Sequence, residues 1–140
     1  MKDLFNNIHP VRCISPVSEA GTTALVGQII DKKGFDSLTY VIATGSIADA
    51  DATFTVLLEE GDDASLTDAV AVADAQLLGT EALAAFQFDD DNETRKLGYI
   101  GNKRYTRLTI TPAANASAAL ISAVAILGSP QLAPTANPPV

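Results

Sequence analysis

Short stretches in which apolar and polar residues alternate set the pattern of this 140-residue chain. The clearest is segment 53–58, in which Phe54, Val56 and Leu58 fall on one face between threonines. Segment 37–44 repeats the pattern, with leucine, tyrosine and isoleucine at every second position. A period of two is that of a strand with one buried face, so both segments predict β-strands.

Segment 105–111 alternates in the same way and is predicted to be a strand of the core. Its Leu108 and Ile110 are expected to point into the core together, because they share one face. Tyr105 and Arg107 fall on the opposite face and are expected to point outward, or towards a second layer.

Four further stretches have less regular patterns. Segment 22–30 predicts a first strand, and the apolar run 118–127 predicts a last strand that is buried on both faces. Segment 68–78 contains enough alanine for a helix, but its alternating valines favour a strand. Segment 81–88 predicts either a short strand or one helical turn. The predicted turns are rich in Gly or Asp and lie at 31–34, 45–52, 59–63, 89–93 and around Gly98 and Gly101.

Short strands separated by such turns predict a single all-β domain over residues 21–128, an antiparallel β-sandwich or jelly-roll-like barrel. Residues 1–20 predict an extended N-terminal arm, because Pro10 and Pro16 block a continuous helix. Such an arm either lies as a strand along its own domain or clasps a neighbouring molecule. Residues 129–140 carry four prolines and predict an extended C-terminal tail.

Composition excludes several classes of function. The formal net charge of −8 opposes binding to nucleic acid or to an anionic membrane. Cys13 is the single cysteine, so an internal disulfide and a zinc site with several cysteines are both excluded. The sequence predicts no secretion signal and no membrane-spanning segment, so synthesis in the cytoplasm is expected.

Candidate catalytic chemistry is sparse. His9 is the single histidine and lies four residues before Cys13, and a Cys–His pair can in principle form a nucleophile. The arm offers neither a rigid cleft nor a third group to orient the pair, and the chain contains no phosphate-binding loop or nucleophile-elbow motif. We therefore expect a protein that is not an enzyme and needs no cofactor.

The acidic residues cluster in loop sequence, where solvated charge is the ordinary role. Asp89, Asp91 and Glu93 form the densest run, and they are the candidates for ligands of a calcium ion, which binds several oxygens. The run lacks the glycine and the spacing of an EF-hand loop. No other metal site is predicted.

Positive charge is concentrated in a short part of the chain. Five of the nine basic residues lie within thirteen positions: Arg95, Lys96, Lys103, Arg104 and Arg107. They could pair with the nearby acidic loops, dock onto an acidic neighbour, or contact nucleic acid, and the net charge disfavours the last role. These five residues, together with Arg12 and Tyr105, are the candidates for a partner interface, since Arg and Tyr are enriched at interfaces.

Several segments carry a resemblance to known proteins. They are 8–12 (IHPVR), 49–56 (DADATFTV), 78–81 (LGTE), 98–111 (GYIGNKRYTRLTIT) and 123–130 (AVAILGSP). Together they resemble a family of small structural proteins of tailed phages and prophages, whose members are usually encoded among the head genes. Separately, 103–109 (KRYTRLT) is similar to a late core strand of discoidin-like jelly rolls, and no binding residue carries over from that likeness.

The phage resemblance implies a component of the virion. The leading hypothesis is a capsid decoration (cement) protein that binds the outer surface of the major capsid protein lattice, forms a homo-oligomer (expected to be a trimer), and is made in the host cytoplasm. One alternative is a head–tail connector or tail accessory protein. Another is a carbohydrate-binding jelly-roll module, which would need exposed aromatic residues although the chain has no tryptophan.

Overall fold

The structure is a computed structural model that describes residues 2–139, and it consists of two antiparallel β-sheets packed face to face. The expected all-β sandwich is confirmed. The strands are β1 (Ile8–Glu19), β2 (Leu25–Val26), β3 (Ile30–Asp31), β4 (Phe35–Ile47), β5 (Thr53–Gly61), β6 (Val70–Ala71), β7 (Leu77–Leu78), β8 (Phe86–Gln87), β9 (Thr94–Tyr99), β10 (Tyr105–Ala113) and β11 (Ala119–Pro130). Helical structure is limited to α1 (Glu81–Ala84) and the 3-10 turns Phe5–Asn7 and Asp74–Gln76. Within residues 2–139, no helix has the length and apolar character needed to cross a membrane.

The first sheet has the strand order β1-β11-β4-β9-β7, with the long strands β11 and β4 near its centre. Alternation works as predicted in β4, where Leu38, Tyr40 and Ile42 are buried. β11 supplies small and aliphatic side chains to the same core, among them Ala123 and Ala125. These alanines leave room for the large ring of Tyr40, which is paired in register with Ala125.

The second sheet has the order β2-β10-β5-β6, with β3 also paired to β10 and β8 to β5. The predicted core residues are confirmed: Phe54 of β5 and Leu108 and Ile110 of β10 are buried. Phe54 also stacks on Phe86 of β8, with ring centroids 4.7 Å apart.

One side of the sandwich is closed by the segment that follows β2. The Gly27 N–H donates to the Leu108 carbonyl of the second sheet at 2.8 Å. The next amide, that of Gln28, donates to the Cys13 carbonyl of the first sheet at 3.0 Å. Residues 27 and 28 therefore join β10 to β1 and give the sandwich a barrel-like side.

The other side is closed by residues 70–78, and here the sequence prediction of one strand is wrong. The segment pairs with the second sheet through β6, turns through Asp74–Gln76, and then pairs with the first sheet through β7. A single straight strand is incompatible with this path, because its two ends belong to different sheets. Segment 81–88, left open between helix and strand, contains both α1 and β8.

The predicted turn around Gly98 and Gly101 is correct only in part. Gly98 lies within β9, where a Cβ atom would come within 2.8 Å of the Leu78 side chain. The glycine is therefore needed for the close approach of β7 rather than for a turn. Gly101 does lie in the turn between β9 and β10, against the ring of Tyr99.

Segments near the two ends of the chain contact each other at one edge of the first sheet. Residues 8–19, part of the predicted arm, form β1 and lie along the domain by pairing with β11. Two register shifts near Ile14 bend this strand. In the tail, the Thr135 amide donates to the Asn6 carbonyl at 3.1 Å, and the Thr135 hydroxyl donates to the Ile8 carbonyl at 2.6 Å.

Candidate functional site

Four residues of the basic cluster form ion pairs inside the chain. Arg95 pairs with Asp90 at 3.0 Å and also contacts Glu93, and Arg107 pairs with Glu59 across β10 and β5 at 3.0 Å. The other pairs are Lys103 with Asp62 at 2.5 Å and Arg104 with Asp31 at 2.9 Å. These pairs occupy the cations within their own domain, and solvent-exposed pairs of this kind contribute little to stability.

Arg104 also lies against Tyr105, another predicted interface residue. Its guanidinium makes two hydrogen bonds to the Asp31 carboxylate, both at 2.9 Å, and lies over the Tyr105 ring at 4.9 Å from the centroid. The hydrogen bonds from Arg104 lower the pKa of Asp31. Tyr105 is consequently half-buried under Arg104 rather than free on the surface.

Arg12 and Lys96 differ from the other cations. Within residues 2–139, neither has a carboxylate oxygen within 4.0 Å. The Arg12 guanidinium donates instead to the Ser15 hydroxyl at 2.7 Å and to the Gln28 amide oxygen at 2.8 Å. Both are exposed, and both point outward from the first sheet.

Between Arg12 and Lys96 the outer surface of the first sheet is apolar. Val124 of β11 is the register partner of Arg12, and Val41 of β4 is the register partner of both Val124 and Lys96. We call this surface the apolar face and define it by Val41, Ala43, Leu78, Leu120, Val124 and Ile126. Leu78 is 57% exposed, Leu120 46% and Val124 39%.

The apolar face corrects the prediction that the last strand is buried on both faces. β11 is a strand as expected, and one of its faces is fully buried, from Ala119 to Leu127 at alternate positions. The opposite face, with Leu120 and Val124, remains exposed. A strand that is apolar on both faces is typically covered on both faces by other apolar groups. In β11 the chain covers one face, and within residues 2–139 the other face is uncovered.

The outer surface of the second sheet has a different chemistry. Its outward positions on β5 and β10 include four threonines, with Thr55 the register partner of Thr111, and also the 39% exposed Leu57, whose row continues to Val26 of β2. The two charged residues on this surface, Arg107 and Glu59, form an ion pair with each other. The two outer faces therefore differ chiefly in charge: Arg107 of the second sheet is paired with Glu59, whereas Arg12 and Lys96 of the first sheet have no carboxylate oxygen within 4.0 Å among residues 2–139.

Two of the three tyrosines are buried between the sheets. The Tyr40 hydroxyl and the Thr106 hydroxyl are 2.6 Å apart, and the Tyr99 hydroxyl donates to the carboxylate of Glu60. Burial raises the pKa of both tyrosines. Tyr40 and Tyr99 are 0% and 1% exposed, so neither ring can stack on an external ligand.

His9 and Cys13 lie in different surroundings in the structure. The His9 ring stacks on Phe35, with centroids 5.4 Å apart. Cys13 is buried beside Gly27, and burial raises the pKa of its thiol to about 12. A reactive cysteine needs a lowered pKa and access to solvent, and Cys13 has neither.

The calcium candidates are held by separate local contacts. Asp89 accepts a hydrogen bond from the Gln87 side-chain amide at 2.8 Å, and Asp91 accepts one from the Ile47 N–H at 3.0 Å. Glu93 contacts Arg95. In the described part of the chain, no group of three or more acidic, histidine or cysteine side chains is arranged to hold a metal ion.

Sequence reasoning named Arg12 and Lys96 but did not identify the surface between them. The two residues are 84 positions apart in sequence, and only the pairing of β1, β11, β4 and β9 brings their side chains onto one face. The available signal was the apolar run of 118–127, which shows that both faces of that strand avoid charge.

Comparison with known proteins gives no family assignment: no protein-family model matches the sequence, and no curated protein matches it. Among solved structures, the SPBc2 prophage-derived protein YomS is 16% identical with a TM-score of 0.44, over 86% of this chain and 95% of that one. The xylan-binding module CBM15 is 11% identical with a TM-score of 0.46, over 93% and 95% of the two chains.

The CBM22-1–GH10 modules of the Clostridium thermocellum xylanase 10B are 13% identical with a TM-score of 0.46. That match covers 95% of this chain and 28% of the other. All three TM-scores are below 0.5, so these likenesses carry no argument about a ligand or a partner.

Proposed function

We propose that the chain is a structural protein of a phage particle, a decoration protein that binds the outer surface of the major capsid protein lattice and stabilises the head. The observation that carries the proposal is the apolar face: a rigid β-sandwich presents an extended apolar surface of a kind that marks protein–protein contact sites. The sequence resemblance to head-associated phage proteins supplies the partner.

The proposed role is non-catalytic and needs no cofactor. Two side chains that could in principle take part in a reaction, Cys13 and Glu60, are buried within the domain. Glu60 accepts a hydrogen bond from the Tyr99 hydroxyl. The buried polar groups connect the two sheets of the domain to each other, and a rigid domain of this kind suits a protein that stabilises a capsid. Many weak contacts, repeated over a lattice, would together bind tightly.

Quantitative mass spectrometry of purified particles tests this function. A decoration protein is expected in hundreds of copies, in a fixed ratio to the major capsid protein. A head–tail connector or tail accessory protein would instead be present in about a dozen copies, as expected for a closed ring. Absence of the chain from the particles would overturn both virion roles.

A carbohydrate-binding role is the second candidate raised by the sequence. Sugar sites on such scaffolds use exposed aromatic rings; Tyr40 and Tyr99 are both buried here, and the exposed Phe5 and Phe88 belong to separate segments, before β1 and after β8. A glycan array is therefore expected to show no binding, and reproducible binding of one glycan class would favour the module over the virion protein.

A further inference from the structure

The apolar face has the composition expected of one side of a protein–protein interface, an apolar centre with charged residues beside it. Val124 and Val41 lie side by side at its centre, in register on β11 and β4. Arg12 lies next to Val124 on one side, and Lys96 lies next to Val41 on the other. Across these four strands the two cations are separated by roughly 14 Å, given the usual spacing between strands.

Negative charge is absent from this face of an acidic protein. The chain carries 17 acidic residues, yet none occupies an outward position of the paired strands β1, β11, β4 and β9 between Gly45 and Ser37. Every other cation of the basic cluster is paired with a carboxylate of the same chain. Within residues 2–139, Arg12 and Lys96 have no carboxylate partner, so their remaining N–H groups can donate to carboxylates of another molecule.

A second copy bound through the same face does not satisfy this chemistry. In a two-fold pairing the same patch meets itself, so Arg12 and Lys96 would face either each other or valines. Burying these cations without a partner would be strongly unfavourable. The complementary surface is instead apolar at its centre, with a carboxylate on each side.

The size of the face fits a repeated, individually weak contact. The outward residues of the first sheet form five rows along the strands, which span about 27 Å, and its five strands span about 19 Å across the sheet. The face therefore has an area of roughly 500 Å² per molecule. An interface of about 1,000 Å² in total is at the lower limit of specific protein complexes. Such a contact becomes effective when many copies bind one lattice.

We infer that the apolar face docks on a protein surface with an apolar centre flanked by two carboxylates about 14 Å apart, and that this surface is presented by the capsid lattice. The inference rests on the proposed function for the identity of the partner. The geometry of the face fixes which side of the molecule makes the contact.

The experiment measures binding of the purified chain to heads that are produced without it, by co-sedimentation. Val124→Glu places a carboxylate at the centre of the face, and Lys96→Glu reverses the charge at its side. The matched controls are Thr111→Glu on the outer face of the second sheet and Lys33→Glu in the turn before β4; both positions are exposed. We expect at least a tenfold loss of affinity for the first two variants and less than a twofold change for the controls.

Salt separates the two contributions. The effect of Lys96→Glu is expected to shrink at high ionic strength, because the charge pair is screened, while the effect of Val124→Glu persists. Circular dichroism and thermal unfolding of each variant show that the fold is retained. If Val124→Glu does not fold, Val124→Ser replaces it, and binding is measured on the folded protein.

The outcomes distinguish the inference from the function. Wild-type binding that Val124→Glu and Lys96→Glu both retain would overturn the docking face and leave the decoration role in place. A change in the oligomeric state of these variants in solution would assign the face to a second copy and overturn the inference. No binding of the wild-type chain to the heads would overturn the role and the inference together.

Discussion

Gly27 shows how closely a single residue can control the joining of two sheets. An alanine Cβ at this position would lie 2.6 Å from the Leu108 carbonyl oxygen and 2.7 Å from the Cys13 sulfur. The oxygen belongs to the backbone of β10, which is held by pairing with β5, so it cannot move away easily. Glycine is needed here for close approach rather than for an unusual backbone conformation.

Gly27→Ala is expected to destabilise the protein by about 1–3 kcal/mol, the usual range for overpacking in a core. Urea unfolding followed by circular dichroism measures the change. Gly21→Ala is the matched control, because its nearest neighbour is the movable end of the Glu19 side chain at 3.2 Å. Equal stability of the two variants would contradict the proposed clash.

The buried thiol of Cys13 gives a second prediction at the residue scale. Burial raises its pKa from about 9 to about 12, so the unfolded chain loses this proton at lower pH than the folded chain. The contribution of Cys13 to stability is therefore complete below about pH 9 and is lost as the pH rises towards 12. Cys13→Ala should flatten this part of the curve of unfolding free energy against pH.

The native thiol should also react slowly with a thiol-specific disulfide reagent at pH 8, and quickly in urea. Rapid reaction of the folded protein would show that Cys13 is more accessible than its burial indicates.

At the scale of elements, two tyrosine hydroxyls connect the sheets through the core. Tyr40 of β4 meets Thr106 of β10, and Tyr99 of β9 meets Glu60 of β5. Each contact joins a strand of the first sheet to a strand of the second. The polar groups are buried, so each needs its partner to offset the loss of hydration.

Tyr40→Phe is expected to cost about 1–3 kcal/mol, because the Thr106 hydroxyl loses its partner while 0% exposed. Thr106→Val removes the other half of the contact. The double variant should be less destabilised than the sum of the two single variants, as expected for residues in direct contact. Additive unfolding free energies would show that the hydroxyls do not interact.

The elements that the sequence predicts well are those with one buried face. In β4, β5 and β10 the alternation of side chains decides both the strand and its inward residues, such as Leu38 and Leu108. Residues 70–78 could not be predicted, because their path between two sheets depends on distant partners such as Leu58 and Ile100. The apolar face could not be predicted either, because register between strands far apart in sequence creates it.

At the scale of the whole molecule, the formal net charge is −8, and the charged residues are distributed unevenly. Most of the acidic residues lie in loops, and the first sheet carries Arg12 and Lys96 on an outer surface whose paired rows between Ser37 and Gly45 contain no carboxylate. An approaching acidic partner would orient the molecule with this sheet towards it, since complementary charge steers association.

The ion pair between Arg104 and Asp31 of β3 makes the stability of the fold depend on pH in the acid range. Arg104 lowers the pKa of Asp31, so the folded chain keeps this carboxylate ionised at a lower pH than the unfolded chain does. The stabilisation is therefore present above the ordinary aspartate value of about 4, and is lost as the pH falls through the lowered value. Asp31→Asn should reduce the fall in the urea midpoint between about pH 5 and pH 2.

Asp36→Asn is the control for that measurement, since Asp36 is exposed and makes no ion pair within residues 2–139. An acid transition identical in wild type and Asp31→Asn would show that the pair with Arg104 contributes nothing to folding.

The contact between Thr135 and the start of β1 bears on how these molecules avoid polymerising. β1 is the outermost strand of its sheet, and outermost strands can add strands of other molecules and grow into fibres. Thr135 occupies the Ile8 carbonyl, Gln28 occupies the Cys13 carbonyl, and Pro10 and Pro16 have no N–H to offer. The open edge of β1 therefore offers fewer free backbone groups to a strand of another molecule.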